Sequence, residues 1–81
     1  MLVTGNQLKA ARALAGMDQR SLADAAGVAV NTVRGMESAG CNEITSSAPT
    51  VRKVQRALET AHVEFICEGN AVGAILKMPA S

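Results

Sequence analysis

Apolar and polar positions along this chain recur with two different periods. Up to about residue 61 the apolar ones return every three or four residues; beyond it they alternate with polar ones. The first period belongs to a helix burying one stripe, the second to a half-buried strand. Leu8, Ala11, Leu14 and Ala15 predict a first helix over 5–16, with Thr4 as its N-cap and Gly16 as its stop. Leu22, Ala23 and Ala26 predict a second over about 19–26, capped by Asp18. Val33 and Met36 predict a short third over about 30–38, closed by Gly40. Residues 39–48 are rich in small and polar types and predict a loop. Pro49 and Thr50 then open a fourth helix, about 50–61, whose buried face is Val51, Val54, Ala57, Leu58 and Ala61. Proline suits a first helical turn, where no intrahelical N–H is needed. Val63, Phe65 and Cys67 share one face of a strand over 63–67, with Glu64, Ile66 and Glu68 on the other. A turn at Glu68-Gly69-Asn70 leads into a second strand over 71–78, and Met78-Pro79-Ala80-Ser81 predicts a frayed end. The fold class is therefore mainly α, four helices followed by a short C-terminal β-hairpin. The chain divides into a helical unit, 1–61, and a hairpin with its tail, 62–81.

Gln19 to Glu37 is the most informative stretch. Its apolar and small positions, Leu22, Ala23, Ala26, Val28, Val33 and Met36, do not lie on one face of a continuous helix. They fit two short helices with a break at Gly27, a residue that enters positive φ at little steric cost. Ala23 is small where two helices cross closely. This is the layout of a helix-turn-helix, which serves to set its second helix in the DNA major groove.

Composition modifies that picture in three ways. A chain of 81 residues makes one domain with a limited core, and much of its 48% hydrophobic content is alanine. Phe65 is the single aromatic residue, so a second subunit supplying extra burial is physically attractive. The net charge is only +1, but it is unevenly spread. Lys9, Arg12, Arg20 and Arg34 outnumber Asp18 and Asp24 early in the chain, and Arg52, Lys53 and Arg56 form a second basic cluster. Glu59, Glu64 and Glu68 lie toward the other end, an arrangement that suits DNA on one side only. Cys41, Cys67 and His62 have no metal-ligand spacing, and nothing beside Cys41 activates a thiolate. No cofactor and no enzymatic chemistry are expected. Two free thiols without a signal peptide point to a reducing cytoplasm, and no apolar run has the length of a bilayer span.

With these residues in view, the chain resembles the Cro/C1-type (XRE) helix-turn-helix family over about 5–61. The resemblance is carried by Gln19, Leu22-Ala23, Ala26-Gly27-Val28, Thr32-Val33 and Met36-Glu37. The start TGNQLKAARALAGMDQRSLADAAGV and the later RALETAHVEFI also resemble a bacterial subgroup of small regulators that end in a β-hairpin. The resemblance implies a lambda-repressor-like domain, double-stranded DNA as partner and transcriptional regulation as role. It implies a phosphate contact, and sometimes a base contact, for Gln19. It implies a recognition helix presenting Ala29, Val30, Asn31, Thr32, Arg34 and Gly35. Among these, Asn31 has the geometry for adenine, Arg34 for guanine or a phosphate, and Val30 for a thymine methyl; Thr32 suits a phosphate. Arg12 and Glu37 match a pair that in the family forms a structural salt bridge.

The chain also departs from the family. Gly35 stands where relatives often carry a base-reading side chain. Asp18 puts a negative charge near an expected phosphate. Met17 replaces an aromatic, and the 39–48 loop has no Lys or Arg, leaving Ser46, Ser47 and the start of the fourth helix to meet the backbone. Modest affinity per subunit follows, and a homodimer becomes more necessary. Its expected contact is the hairpin, through Val63, Phe65, Ile66, Val72 and Ile75, because an exposed strand edge recruits a second strand; the competing reading is that the hairpin only covers the helical core of its own subunit. The alternative is an antitoxin-like module whose partner is a toxin.

Overall fold

A computed structural model describes residues 1–78. The chain runs α1 (Gly5–Leu14), α2 (Gln19–Ala26), α3 (Val30–Glu37), α4 (Ala48–Thr60), β1 (Val63–Glu68) and β2 (Ala71–Leu76). The element order is the one that the two periodicities predict. The predicted frayed end at 79–81 lies outside the described residues; Met78 is exposed beyond the end of β2.

Element ends follow their caps. Thr4 and Gln7 form a reciprocal capping box that starts α1. That helix stops at Leu14, two residues before the predicted end, and Gly16 turns left-handed at φ 69°. The Asp18 carboxylate accepts from the Ser21 N–H to start α2. Gly27, at φ 70°, ends α2 in the left-handed region, and the Val28 N–H returns to the Ala23 carbonyl at 3.0 Å. Ser47 caps α4, so that helix begins two residues earlier than predicted, with Pro49 inside its first turn.

The core joins the four helices and β1, and Ala74 and Leu76 of β2 pack against it. Leu8, Ala11, Leu22, Ala23, Val33, Met36, Val54 and Leu58 are buried with Val63 and Phe65 from the hairpin and Leu2 from the leading segment. Leu14 is a correction: it was expected on the buried stripe and is exposed. Each step of three residues turns back by about 60° on an α-helix, so a stripe continued from Leu8 through Ala11 has left the core by Leu14.

The hairpin is antiparallel, with Val63 opposite Leu76, Phe65 opposite Ala74 and Cys67 opposite Val72. Gly69 takes φ 55° as the first residue of its two-residue turn, a position that favours glycine. The leading residues are also structured. Thr4 bridges Glu43, and Ile44 N–H donates to the Val3 carbonyl at 2.8 Å. This backbone pairing gives the expected loop at 39–48 a fixed path.

Candidate nucleic-acid interface

Two buried side chains hold α3 in place. Val33 is 0% exposed and Met36 is 1% exposed, three residues apart on the inner face. The rotation of an α-helix then decides what the other side shows. Asn31, Arg34 and Gly35 are exposed, while Val30 and Thr32 are half-buried. Val30 packs partly against the core, which limits what its side chain can offer outward. Ala29, ahead of the helix, supplies no side-chain cap. The first N–H groups of α3 therefore lack a side-chain acceptor.

Gln19, at the start of α2, lies beside this surface. Its amide nitrogen donates to Glu37 Oε1 at 3.2 Å, and its amide oxygen accepts from Arg34 Nε at 3.4 Å. Arg34 also reaches Asn31 Oδ1 at 3.4 Å through a terminal nitrogen. Three residues named from the sequence as DNA-facing thus lie within one chain of polar contacts.

Arg12 and Glu37 meet across α1 and α3. Arg12 Nε donates to Glu37 Oε2 at 2.7 Å, and a terminal nitrogen donates to Oε1 at 3.0 Å. Another terminal nitrogen donates to the Met17 carbonyl at 3.1 Å, tying in the turn before α2. The hydrogen bond to Glu37 raises the Arg12 pKa further above its already high ordinary value. Arg12 is thereby removed from the exposed basic side chains of the helices, which are instead Lys9, Arg20, Arg34, Arg52, Lys53 and Arg56.

The five residues expected at a dimer contact divide. Val63 and Phe65 are corrections: they are 2% and 8% exposed, turned onto the chain's own helices. Strand alternation puts both on the inner face once the hairpin packs on α1 and α4. Ile66 is half-buried, and Val72 and Ile75 are 45% and 46% exposed.

Sequence reasoning missed two residues that place α1. Gln7 is buried and ties the start of α1 to the leading segment and the hairpin. Gly5 sits where an added Cβ would lie 2.7 Å from the carbonyls of Met36 and Glu37 and from the Gly40 nitrogen. That close approach seats the start of α1 on the end of α3. A Thr-x-x-Gln capping-box signature at Thr4–Gln7 was visible in the sequence; nothing local marked Gly5.

Among the described residues no cluster of His, Cys, Asp and Glu can hold a metal ion. No helix there is long and apolar enough to cross a membrane. Two short helices set by a left-handed glycine, with the second held by two core residues and its polar side turned out, define a helix-turn-helix protein. The sequence profile described as Helix-turn-helix matches residues 8–65. The chain belongs to this family, the Cro/C1-type (XRE) helix-turn-helix proteins, and is a DNA-binding regulator of that general kind. No curated protein matches it.

Proposed function

We propose that the protein regulates transcription as a cytoplasmic homodimer that sets α3 of each copy in successive major grooves. Two-fold related copies would read half-sites about 34 Å apart on one side of the duplex. The observation that carries this reading is the division of α3. Val33 and Met36 fix its inner side, and Asn31, Arg34 and Gly35 are left on the outer one. Asn31 is assigned to an adenine edge and Arg34 to a guanine. Half-buried Val30 and Thr32 flank the contact, with Thr32 at a phosphate. Gly35 leaves room for close backbone approach but adds no reading group.

The dimer contact is assigned to the free edge of β2 within 62–78. The ladder pairs His62 with Lys77, so the backbone groups of Val72, Ala74 and Leu76 face away from β1. Among the described residues they make no backbone hydrogen bond. The strand reads AVGAIL and carries no charge to deter pairing. The opposite edge, on β1, is occupied, since the Met1 amino group donates to the Phe65 carbonyl at 3.3 Å. Beside β2 runs a groove lined by Asn6, Ala10, Val72 and Gly73, which is also free of charge. An antiparallel edge is self-complementary about a two-fold axis, so a second copy fits it.

Selection from a pool of random duplexes tests the function. A near-palindromic motif is the expected result, with a log–log salt slope near about −5 for a dimer neutralising about 6 phosphates. Asn31→Ala should relax preference at one base pair per half-site and cost about 1–3 kcal/mol. An unselective pool, or a mass of one chain by sedimentation at micromolar concentration, would respectively remove the sequence-reading and dimer parts.

A further inference from the structure

Five polar side chains from three helices form one continuous chain beside the exposed side of α3. At its inner end the Glu37 carboxylate is 6% exposed and receives Arg12 through both oxygens. Such a two-pronged pair has little freedom to rotate. Glu37 Oε1 also receives the Gln19 amide nitrogen at 3.2 Å. A carboxylate accepts only, so it selects the donor end of the amide. The Gln19 oxygen is thereby turned outward, where it accepts Arg34 Nε at 3.4 Å; Arg34 continues to Asn31 Oδ1 at 3.4 Å.

A glutamine that binds a phosphate does so through its amide nitrogen. Here one N–H of that nitrogen is committed to Glu37, and the neighbouring carboxylate disfavours a second anion. The oxygen, by contrast, holds the Nε edge of the one cation on α3. We infer that Gln19 is a positioning residue for Arg34 rather than a phosphate ligand. Glu37 orients the Gln19 amide, and Gln19 steadies the guanidinium so that its terminal nitrogens meet a guanine edge. A long side chain held in one orientation loses less freedom on binding, which sharpens recognition. This inference rests on the DNA-binding reading above and names how that site gains specificity.

The test uses the full chain, duplexes of the selected motif, and the variants Gln19→Ala, Arg34→Ala and both together. Thermal melting establishes that each is folded. Gln19→Ala should lower the preference for guanine at the Arg34 base pair about tenfold, the size of one good bidentate contact. The salt slope should stay at the wild-type value, and the double variant should be no worse than Arg34→Ala. Gln19→Glu, which replaces the N–H that Glu37 receives with a second carboxylate oxygen, should lose the preference as alanine does. The inference is overturned if Gln19→Ala reduces the salt slope by about 0.9, leaves guanine preference intact and adds to Arg34→Ala. Absence of any base preference in the wild-type chain overturns the DNA reading itself, and is distinguished because it precedes any substitution.

Discussion

The Gln7 side chain donates to the Gly73 carbonyl at 3.0 Å, joining the first turn of α1 to the last strand of the hairpin. The same nitrogen lies 2.8 Å from the Met1 carbonyl and 3.1 Å from the Ile66 carbonyl. The amide oxygen accepts from the Val3 N–H at 2.6 Å and the Thr4 N–H at 3.3 Å. One buried amide thus satisfies backbone groups of the leading segment, β1 and β2. Gln7→Ala leaves several of them without a partner, and each such group costs about 1–3 kcal/mol. Urea denaturation should show a loss of at least about 2 kcal/mol. A loss below about 0.5 kcal/mol would mean that water replaces the amide and that the hairpin is held by its apolar face alone.

Gly5 should reverse the usual order of helix propensity. Alanine ordinarily stabilises a helical position by about 1 kcal/mol relative to glycine. At Gly5 the new methyl would sit 2.7 Å from three backbone atoms of α3 and the following turn, none of which has a flexible end to move. Gly5→Ala should destabilise by about 1–3 kcal/mol, as overpacking does. Gly35→Ala is the control. Its Cβ meets nothing within 4 Å, so stability should rise. Equal melting shifts for the two variants would contradict the close approach.

The Arg12–Glu37 pair should be costly to halve and cheaper to remove whole. Arg12→Met strands a Glu37 carboxylate that is 6% exposed, and losing one member of such a pair costs about 3–5 kcal/mol. Arg12→Met with Glu37→Leu removes the unpaired charge and should recover more than half of that loss. A double-mutant cycle by chemical denaturation measures the coupling. Simple additivity would make the pair an ordinary surface contact.

Acid sensitivity has a specific contributor in Asp18. The hydrogen bond from the Ser21 backbone N–H holds its carboxyl below the ordinary Asp range in the folded chain. A group whose folded pKa is depressed contributes stability above its unfolded pKa. That contribution is lost as pH falls from about 4 through the lower folded value. Asp18→Asn keeps a cap oxygen but cannot titrate. Its melting temperature should fall less steeply than wild type on acidification from about pH 5 to about pH 2. Parallel acid profiles would place the acid sensitivity elsewhere.

Where sequence reasoning succeeded, the signal was local and repeated. Leu22, Ala23, Val33 and Met36 announce their faces by helical spacing, and Gly27 marks the turn because few other residues enter positive φ cheaply. The change to alternation at residue 63 marks the hairpin in the same way. Where it failed, the deciding contact was distant along the chain. Val63 and Phe65 look like any apolar strand face until α1 and α4 are packed beneath them. Gln7 reads as a polar residue in a first helical turn, although its partners include residues 66 and 73.

The sequence by itself determined the elements, their order and the two-helix device, because periodicity, caps and glycine conformations act over a few residues. The tertiary structure alone decided how those elements serve one another. It seats Gly5 on α3, buries Gln7 under the hairpin, turns Val63 and Phe65 inward and, among the described residues, leaves the β2 edge free. It also brings Glu37, Gln19 and Arg34 into one line of polar contacts. Each of these depends on the relative placement of helices that the chain separates, which packing of the shared core fixes and no local pattern encodes.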